Sequence, residues 1–103
     1  MTALLTPEDV ASRLSDLEGW AQVSVEGKPS LQATFELNDF ADALAFVNQV
    51  GHEAEQMNHH PDVDIRWNKV TLTLSTHSAG GLTPADIELA HRIASSTGFG
   101  QPL

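Results

Sequence analysis

Glu53 to Asp86 reads E-A-E-Q-M-N-H-H-P-D-V-D-I-R-W-N-K-V-T-L-T-L-S-T-H-S-A-G-G-L-T-P-A-D, and the reading of this stretch decides the fold. Val63, Ile65 and Trp67 alternate with Asp64 and Arg66, the period of a half-buried strand. Asn68-Lys69 suits a tight turn, and Val70, Leu72, Leu74 and Thr76 then alternate with Thr71, Thr73, Ser75 and His77 as a second strand. Parity puts His77 on the polar face of that strand. Upstream, Pro61 pushes His60 out of the helical region, so a preceding helix must end near His59. Downstream, Ala79-Gly80-Gly81 reads as a flexible loop, and Thr83-Pro84-Ala85-Asp86 is a cap, proline and acid that open another helix. Ile87, Ala90, Ile93 and Ala94 give that helix its apolar stripe, and Gly98 and Gly100 are its expected stop.

Working outward toward the N-terminus, Asn38 is the expected cap of the helix that ends at the histidine pair. Its stripe is Phe40, Ala43, Leu44, Val47, Val50, Gly51, Ala54 and Met57, with Asp39, Asp42, Gln49 and Gln56 mostly off it. Before it, Ala21, Val23 and Val25 alternate with Gln22 and Ser24, and Leu31, Ala33, Phe35 and Leu37 alternate with Gln32, Thr34 and Glu36. Glu26-Gly27-Lys28-Pro29 is the expected turn between two antiparallel strands. A first helix is expected over Thr6–Leu17, capped by Thr6 and led by Pro7, Glu8 and Asp9, with Gly19 beyond its end. The order α-β-β-α-β-β-α predicts an α+β two-layer sandwich: a four-stranded antiparallel sheet with three helices on one face.

Length and charge narrow the function classes. The 103 residues are expected to form one domain spanning 1–103. There is no cysteine, which excludes disulfides, thiolate metal sites and Cys nucleophiles. The net charge is −9, and the five bases, Arg13, Lys28, Arg66, Lys69 and Arg92, are dispersed. Nucleic-acid binding needs a clustered cationic face, so direct binding is not expected. No stretch approaches the ~20 apolar residues of a membrane span, and no basic-then-apolar leader opens the chain; a soluble cytosolic protein is expected.

Of the five histidines, His59, His60 and His77 are the candidates for chemistry. The first two sit at a helix C-terminus, whose unpaired carbonyls favour imidazolium. Glu55, one helical turn before His59, could orient or charge that ring. His77, beside Ser75 and Thr76, is better placed to stay neutral and act as a base. Two imidazoles with separated biases around one cavity would form an acid–base pair without a metal. A three-histidine zinc site is the competing reading, but adjacent His59 and His60 point different ways and no further ligands stand at the usual spacing. His52 and His91 have no partner in the pattern and read as solvent-facing. Gly80-Gly81 lacks the fingerprint of a phosphate loop, and Trp20 and Trp67 read first as packing residues, with a ligand role left open for Trp67.

An acid, three residues, His, His, Pro, an aromatic, then His, then Asp fall on Glu55, His59, His60, Pro61, Trp67, His77 and Asp86. This pattern, with the phrases NHHPDVDIRWNKV and LSTHSAGGLTPADIELA and the early Gly19-Trp20, resembles the pterin-4a-carbinolamine dehydratase family over nearly the whole chain. The resemblance implies dehydration of a 4a-hydroxytetrahydropterin to the quinonoid dihydropterin, the step that recycles tetrahydropterin after aromatic amino-acid hydroxylation. It implies that His59 and His77 are acid–base catalysts and that His60 holds the pterin and assists. Asn58, Pro61, Ser75, Thr76, Ser78 and Asp86 would border the substrate, Asp86 by orienting a histidine or fixing its loop, and Glu55 would support His59. Trp67 stands where tyrosine is common and Ser78 where an acid is frequent. The resemblance further implies no metal, no bound cofactor, and assembly as a homodimer or homotetramer through helices and sheet edges. Some proteins of this fold are instead non-catalytic assembly factors or coactivators; animal members also stabilise dimers of a homeodomain transcription factor. This chain keeps all three histidines, which favours the enzyme.

Overall fold

A computed structural model describes residues 4–96 and 102–103. The elements run α1 (Pro7–Arg13), β1 (Ala21–Val25), β2 (Lys28–Glu36), α2 (Phe40–Met57), β3 (Asp62–Arg66), β4 (Lys69–Leu74) and α3 (Pro84–Ser96). The four strands form one antiparallel sheet in the order β1-β2-β4-β3, so the element order and sheet type expected from the sequence hold. The two longest strands lie in the middle and the two short hairpin partners lie at the edges.

The core follows from the register. Leu31, Ala33 and Phe35 of β2 stand opposite Leu74, Leu72 and Val70 of β4, and all six are buried. Onto this face α1 brings Val10, α2 brings Ala43, Phe46, Val50 and Ala54, and α3 brings Leu89, Ala90 and Ile93, in one continuous apolar cluster. Burying a side chain the size of Phe46 or Leu72 contributes about 1.5–3 kcal/mol each. Phe35 sits between Phe46, at 4.6 Å between ring centroids, and Trp20, at 6.2 Å and nearly edge-on. Trp20 is therefore a packing residue. On the opposite face the same two strands pair polar groups: Gln32 Nε2 donates to Thr73 Oγ1 at 3.1 Å, and the Thr34 and Thr71 hydroxyls meet at 2.9 Å.

Several local expectations are corrected. The β1–β2 connection is only Glu26-Gly27, both at positive φ, with Val25 paired directly to Lys28. That is the backbone of a two-residue hairpin turn, whose twist matches the strands. Lys28 and Pro29 belong to β2, and Pro29 is tolerated because β4 reaches only as far as Leu31. Ala21, Val23 and Val25 lie opposite Gln32, Ser30 and Lys28, so the apolar side of β1 faces away from the helices. Gln22 instead faces α1, where its side-chain amide donates to the Pro7 carbonyl at 3.0 Å. The cap of α2 is Asp39, which accepts from the Asp42 N–H at 2.8 Å, while Asn38 bonds the Asp42 side chain. Helix α1 stops at Arg13; the chain then tightens into i→i+3 bonds, Ser12 to Ser15 and Leu14 to Leu17. In α2, Phe46 replaces the expected Phe40 and Leu44 as the buried centre; the latter two are exposed. Trp67 falls in the β3–β4 turn at φ +52 and is 67% exposed, so it is not a packing residue. The tight turn is Trp67-Asn68, one residue earlier than expected, because Arg66 pairs with Lys69. The expected stop at Gly98 and Gly100 lies outside the described residues.

Gly19 is fixed by two constraints. Its φ is +88, and a Cβ there would stand 2.4 Å from Pro102 Cβ. Leu103, next to Pro102, donates its N–H to the Thr34 carbonyl at 2.6 Å, so the proline has little room to retreat. Gly19→Ala is expected to destabilise the fold by about 1–3 kcal/mol, measured by urea unfolding with an unchanged m-value.

Candidate functional site

The site begins where α2 ends. Asn58 takes the left-handed conformation, φ 51 and ψ 43, and its backbone closes on Ala54 and Glu55. Asparagine tolerates this region better than most residues. The reversal breaks the helical phase, and this corrects the expected role of Glu55. Had the helix continued, His59 would lie one turn above Glu55. Instead His59 turns inward and His60 becomes the neighbour of Glu55, its Nε2 hydrogen-bonded to Glu55 Oε2. Both members of that pair are largely exposed. Exposed ion pairs contribute little, so Glu55→Gln should shift stability by less than about 1 kcal/mol, read from the urea midpoint.

His59 is held differently. Its Nε2 lies 2.6 Å from Asp86 Oδ1; the ring is 14% exposed and the carboxylate 0%. Asp86 Oδ2 accepts from the Thr76 hydroxyl at 2.8 Å and from the Thr83 N–H at 3.0 Å. The Thr76 and Thr83 hydroxyls are 2.7 Å apart, and Thr83 Oγ1 accepts from the Ala85 N–H at 3.3 Å. With the Thr76 proton committed to Asp86, Thr83 donates to Thr76, and every donor in the chain has one acceptor. Among the described residues no buried side-chain polar atom lacks a partner. Thr83 and Asp86 also cap α3: Asp86, its third residue, accepts from the Thr83 N–H, and Thr83 Oγ1 accepts from the Ala85 N–H. One motif thus starts a helix and aims a buried carboxylate at His59. An ionised carboxylate only accepts, so His59 donates from Nε2, leaving Nδ1 as the nitrogen that can exchange a proton. Asp86, expected at the substrate's border by orienting a histidine or fixing its loop, holds His59 through a hydrogen bond and is buried behind it. Thr76, expected beside it, is committed to the same network. The sequence alone marks Thr83 only as a helix cap.

His77 stands on the other side of the strand end. Strand β4 stops at Leu74, and Thr76 makes a lone bridge to Gly81 that closes a tight loop over His77–Gly80. Thr76 points to the helix side while His77 is exposed. On the helix-free face a cavity of about 140 Å³ has His77, Ser75 and Thr73 along one wall and Lys28 and Ser30 along another, with Asp62 beside them. His77 faces this cavity, His59 is held by Asp86 and His60 by Glu55. The reversal at Asn58 turns the two adjacent rings to separate partners. The cavity still adjoins the cluster through the chain: Asp62 is two residues from His60, and Ser75 and His77 flank Thr76.

Of the other expected residues, Ser75 donates to the Pro29 carbonyl at 3.3 Å, Pro61 is half-buried, and Asn58 and Ser78 are exposed. His52 is exposed and shares a 3.1 Å hydrogen bond with Gln56. His91 is tied to the Arg13 carbonyl at 3.0 Å, joining α3 to the end of α1. Among the described residues no group of three His, Asp or Glu side chains could hold a metal ion. No described helix is long and apolar enough to cross a membrane.

His59, held by a buried carboxylate, thus stands at the sheet end of a small α+β sandwich. The profile of the family described as Pterin 4 alpha carbinolamine dehydratase matches residues 3–96, so the chain belongs to that family. A protein of Roseiflexus castenholzii, provisionally named a pterin-4-alpha-carbinolamine dehydratase, is 50% identical over 90% of this chain and 96% of its own length. One of Thermosynechococcus vestitus with the same provisional name is 45% identical over 91% and 95%. The crystal structure of a transcriptional coactivator/pterin dehydratase from Brucella melitensis superposes with a TM-score of 0.82 at 33% identity, over 93% of this chain and all of that one. A pterin dehydratase-like protein identified as a RuBisCO assembly factor in the alpha-carboxysome shares the fold, at a TM-score of 0.65 and 21% identity. The family and its relatives' names support a dehydratase acting on a pterin.

Proposed function

We propose that this chain dehydrates a 4a-hydroxytetrahydropterin to the quinonoid dihydropterin, with His59 and His77 as its acid–base pair and His60 holding the ring. The observation that carries the reading is the His59–Asp86 hydrogen bond at 2.6 Å inside a fully partnered buried network. Hydroxide leaves C4a poorly, so a proton must reach the 4a oxygen as the C4a–O bond breaks. The N5 lone pair forms the C=N bond, and the N5 proton goes to a base. One histidine protonates the 4a oxygen, the other takes the N5 proton, and the hydroxyl leaves as water. Positioned acid–base groups accelerate such steps by about 10²–10⁴-fold. Asp86 does not touch substrate in this scheme; it fixes the tautomer of His59.

Assembly belongs to the same proposal. Among the described residues β1 and β3 each keep an unpaired edge, and Phe40 and Leu44 leave an apolar strip on α2. Both features suit a homodimer or homotetramer. The test of function is dehydration of a synthetic carbinolamine followed by absorbance, alongside pterin binding by calorimetry. Turnover above the buffer rate is expected. Binding without turnover would instead support a non-catalytic module of this fold, a reading raised by the coactivator and assembly-factor names of two structural neighbours.

A further inference from the structure

Thr76 and His77 are neighbours that leave the end of β4 on different sides, and Thr76 is tied through both its side chain and its backbone. Its hydroxyl donates to Asp86 Oδ2 at 2.8 Å, and the other oxygen of that buried carboxylate holds His59 Nε2 at 2.6 Å. Its N–H donates to the Gly81 carbonyl at 2.9 Å, and its carbonyl accepts from the Ala79 and Gly80 N–H groups at 3.0 and 2.9 Å. Those bonds close the loop that carries His77. The far end of the loop is fixed separately, by the Leu5 N–H on the Leu82 carbonyl at 2.8 Å. At the near end Ser75 adds only an exposed 3.3 Å bond to the Pro29 carbonyl. The Thr76 hydroxyl is the stronger tie there, because its acceptor is a carboxylate and charge-assisted bonds exceed neutral ones. The buried Thr83 hydroxyl, 2.7 Å away, donates to the Thr76 oxygen and so aims the Thr76 proton at Asp86.

We infer that Thr76 is a positioning residue shared by two histidines: its hydroxyl fixes the carboxylate behind His59, and the same bond fixes the strand end from which His77 projects. The inference rests on the reading above that both rings act on one substrate. Neither role needs Thr76 to touch the pterin. Asp86 is itself pinned by the Thr83 N–H at 3.0 Å, so the bond from Thr76 has a firm anchor. One hydrogen bond then sets the spacing of the acid–base pair. Proton transfer tolerates little error in that spacing, since a misplacement of about 1 Å can cost ~10²-fold in rate.

The test compares Thr76→Val, which keeps the branched shape and removes the hydroxyl, with Thr76→Ala, which cannot overpack, and Thr76→Ser, which restores the donor. In both hydroxyl-free variants kcat for the carbinolamine should fall about 10–100-fold with KM within about twofold of wild type, and Thr76→Ser should recover kcat to within about threefold. Two further readouts need no turnover. The resonance of the His59 Nε2 proton should shift, and hydrogen exchange at the Ala79 and Gly80 amides should quicken about tenfold, in the valine and alanine variants but not in the serine one. A raised KM with unchanged kcat would make Thr76 a substrate contact and overturn the inference. A response at His59 alone, or in the loop alone, would overturn the shared role. An unmoved resonance and unmoved exchange beside a lower urea midpoint would leave Thr76 a residue of the fold only. A wild type without turnover would overturn the dehydratase reading, and the resonance and exchange measurements would still decide the role of Thr76.

Discussion

Asp86→Asn is expected to keep the fold and lose turnover by about 10²–10⁴-fold. The argument is a count of donors. Oδ2 accepts from the Thr76 hydroxyl and the Thr83 N–H, so the asparagine oxygen must take that place. Its NH₂ then faces His59 Nε2, where Oδ1 had been. Two donors cannot share a hydrogen bond, so the imidazole must move its proton to Nδ1 and accept at Nε2. The ring stays in place with the wrong nitrogen bare. Nitrogen-15 shifts of the His59 ring would report this directly: Nε2–H in the wild type, Nδ1–H in the variant. Asp86→Ala goes further, stranding the Thr76 hydroxyl, the Thr83 N–H and the His59 ring around a void. It should cost about 3–5 kcal/mol by urea unfolding, the range for removing one partner of a buried pair. An asparagine variant with normal turnover and an unmoved tautomer would show that the carboxylate serves the fold alone.

That network also marks how far the sequence could be read. The helix C-terminus, the proline and the T-P-A-D start were legible, because each depends on local backbone rules. The two central strands were legible too, because Leu31 to Phe35 and Val70 to Leu74 are buried on one face only. What escaped depended on direction rather than type. Alternation in Ala21, Val23 and Val25 gives a period but not a face; only the pairing of Val25 with Lys28 settles which side they take. Glu55 was assigned to His59 by helical spacing, which holds only while the helix continues, and one left-handed residue at Asn58 hands it to His60. Phe40, Leu44 and Phe46 fit an apolar stripe equally well, and only the sheet beneath chooses among them. Thr83 could have been found: a threonine three residues before an acid at a helix start is the mark of a capping box.

The second large effect is expected at His77, and here fold and chemistry separate cleanly. The side chain is exposed, makes no hydrogen bond to another described side chain, and faces a cavity rather than the core. Its loop is held by backbone bonds from Ala79, Gly80 and Gly81 to the Thr76 carbonyl, none of which involves the imidazole. His77→Ala should therefore change stability by less than about 0.5 kcal/mol and lower turnover by about 10²–10⁴-fold. His59→Ala should lose turnover to a similar degree but also destabilise by about 1–3 kcal/mol, because Asp86 is left buried with its oxygen toward His59 unpaired. The combined variant is the decisive comparison. If the two rings move protons on one substrate in one step, removing the second after the first adds little, and the double loss stays far below the product of the single losses. Losses that multiply would mean that the two histidines act in separate steps. Unchanged turnover in both single variants would remove them from the reaction.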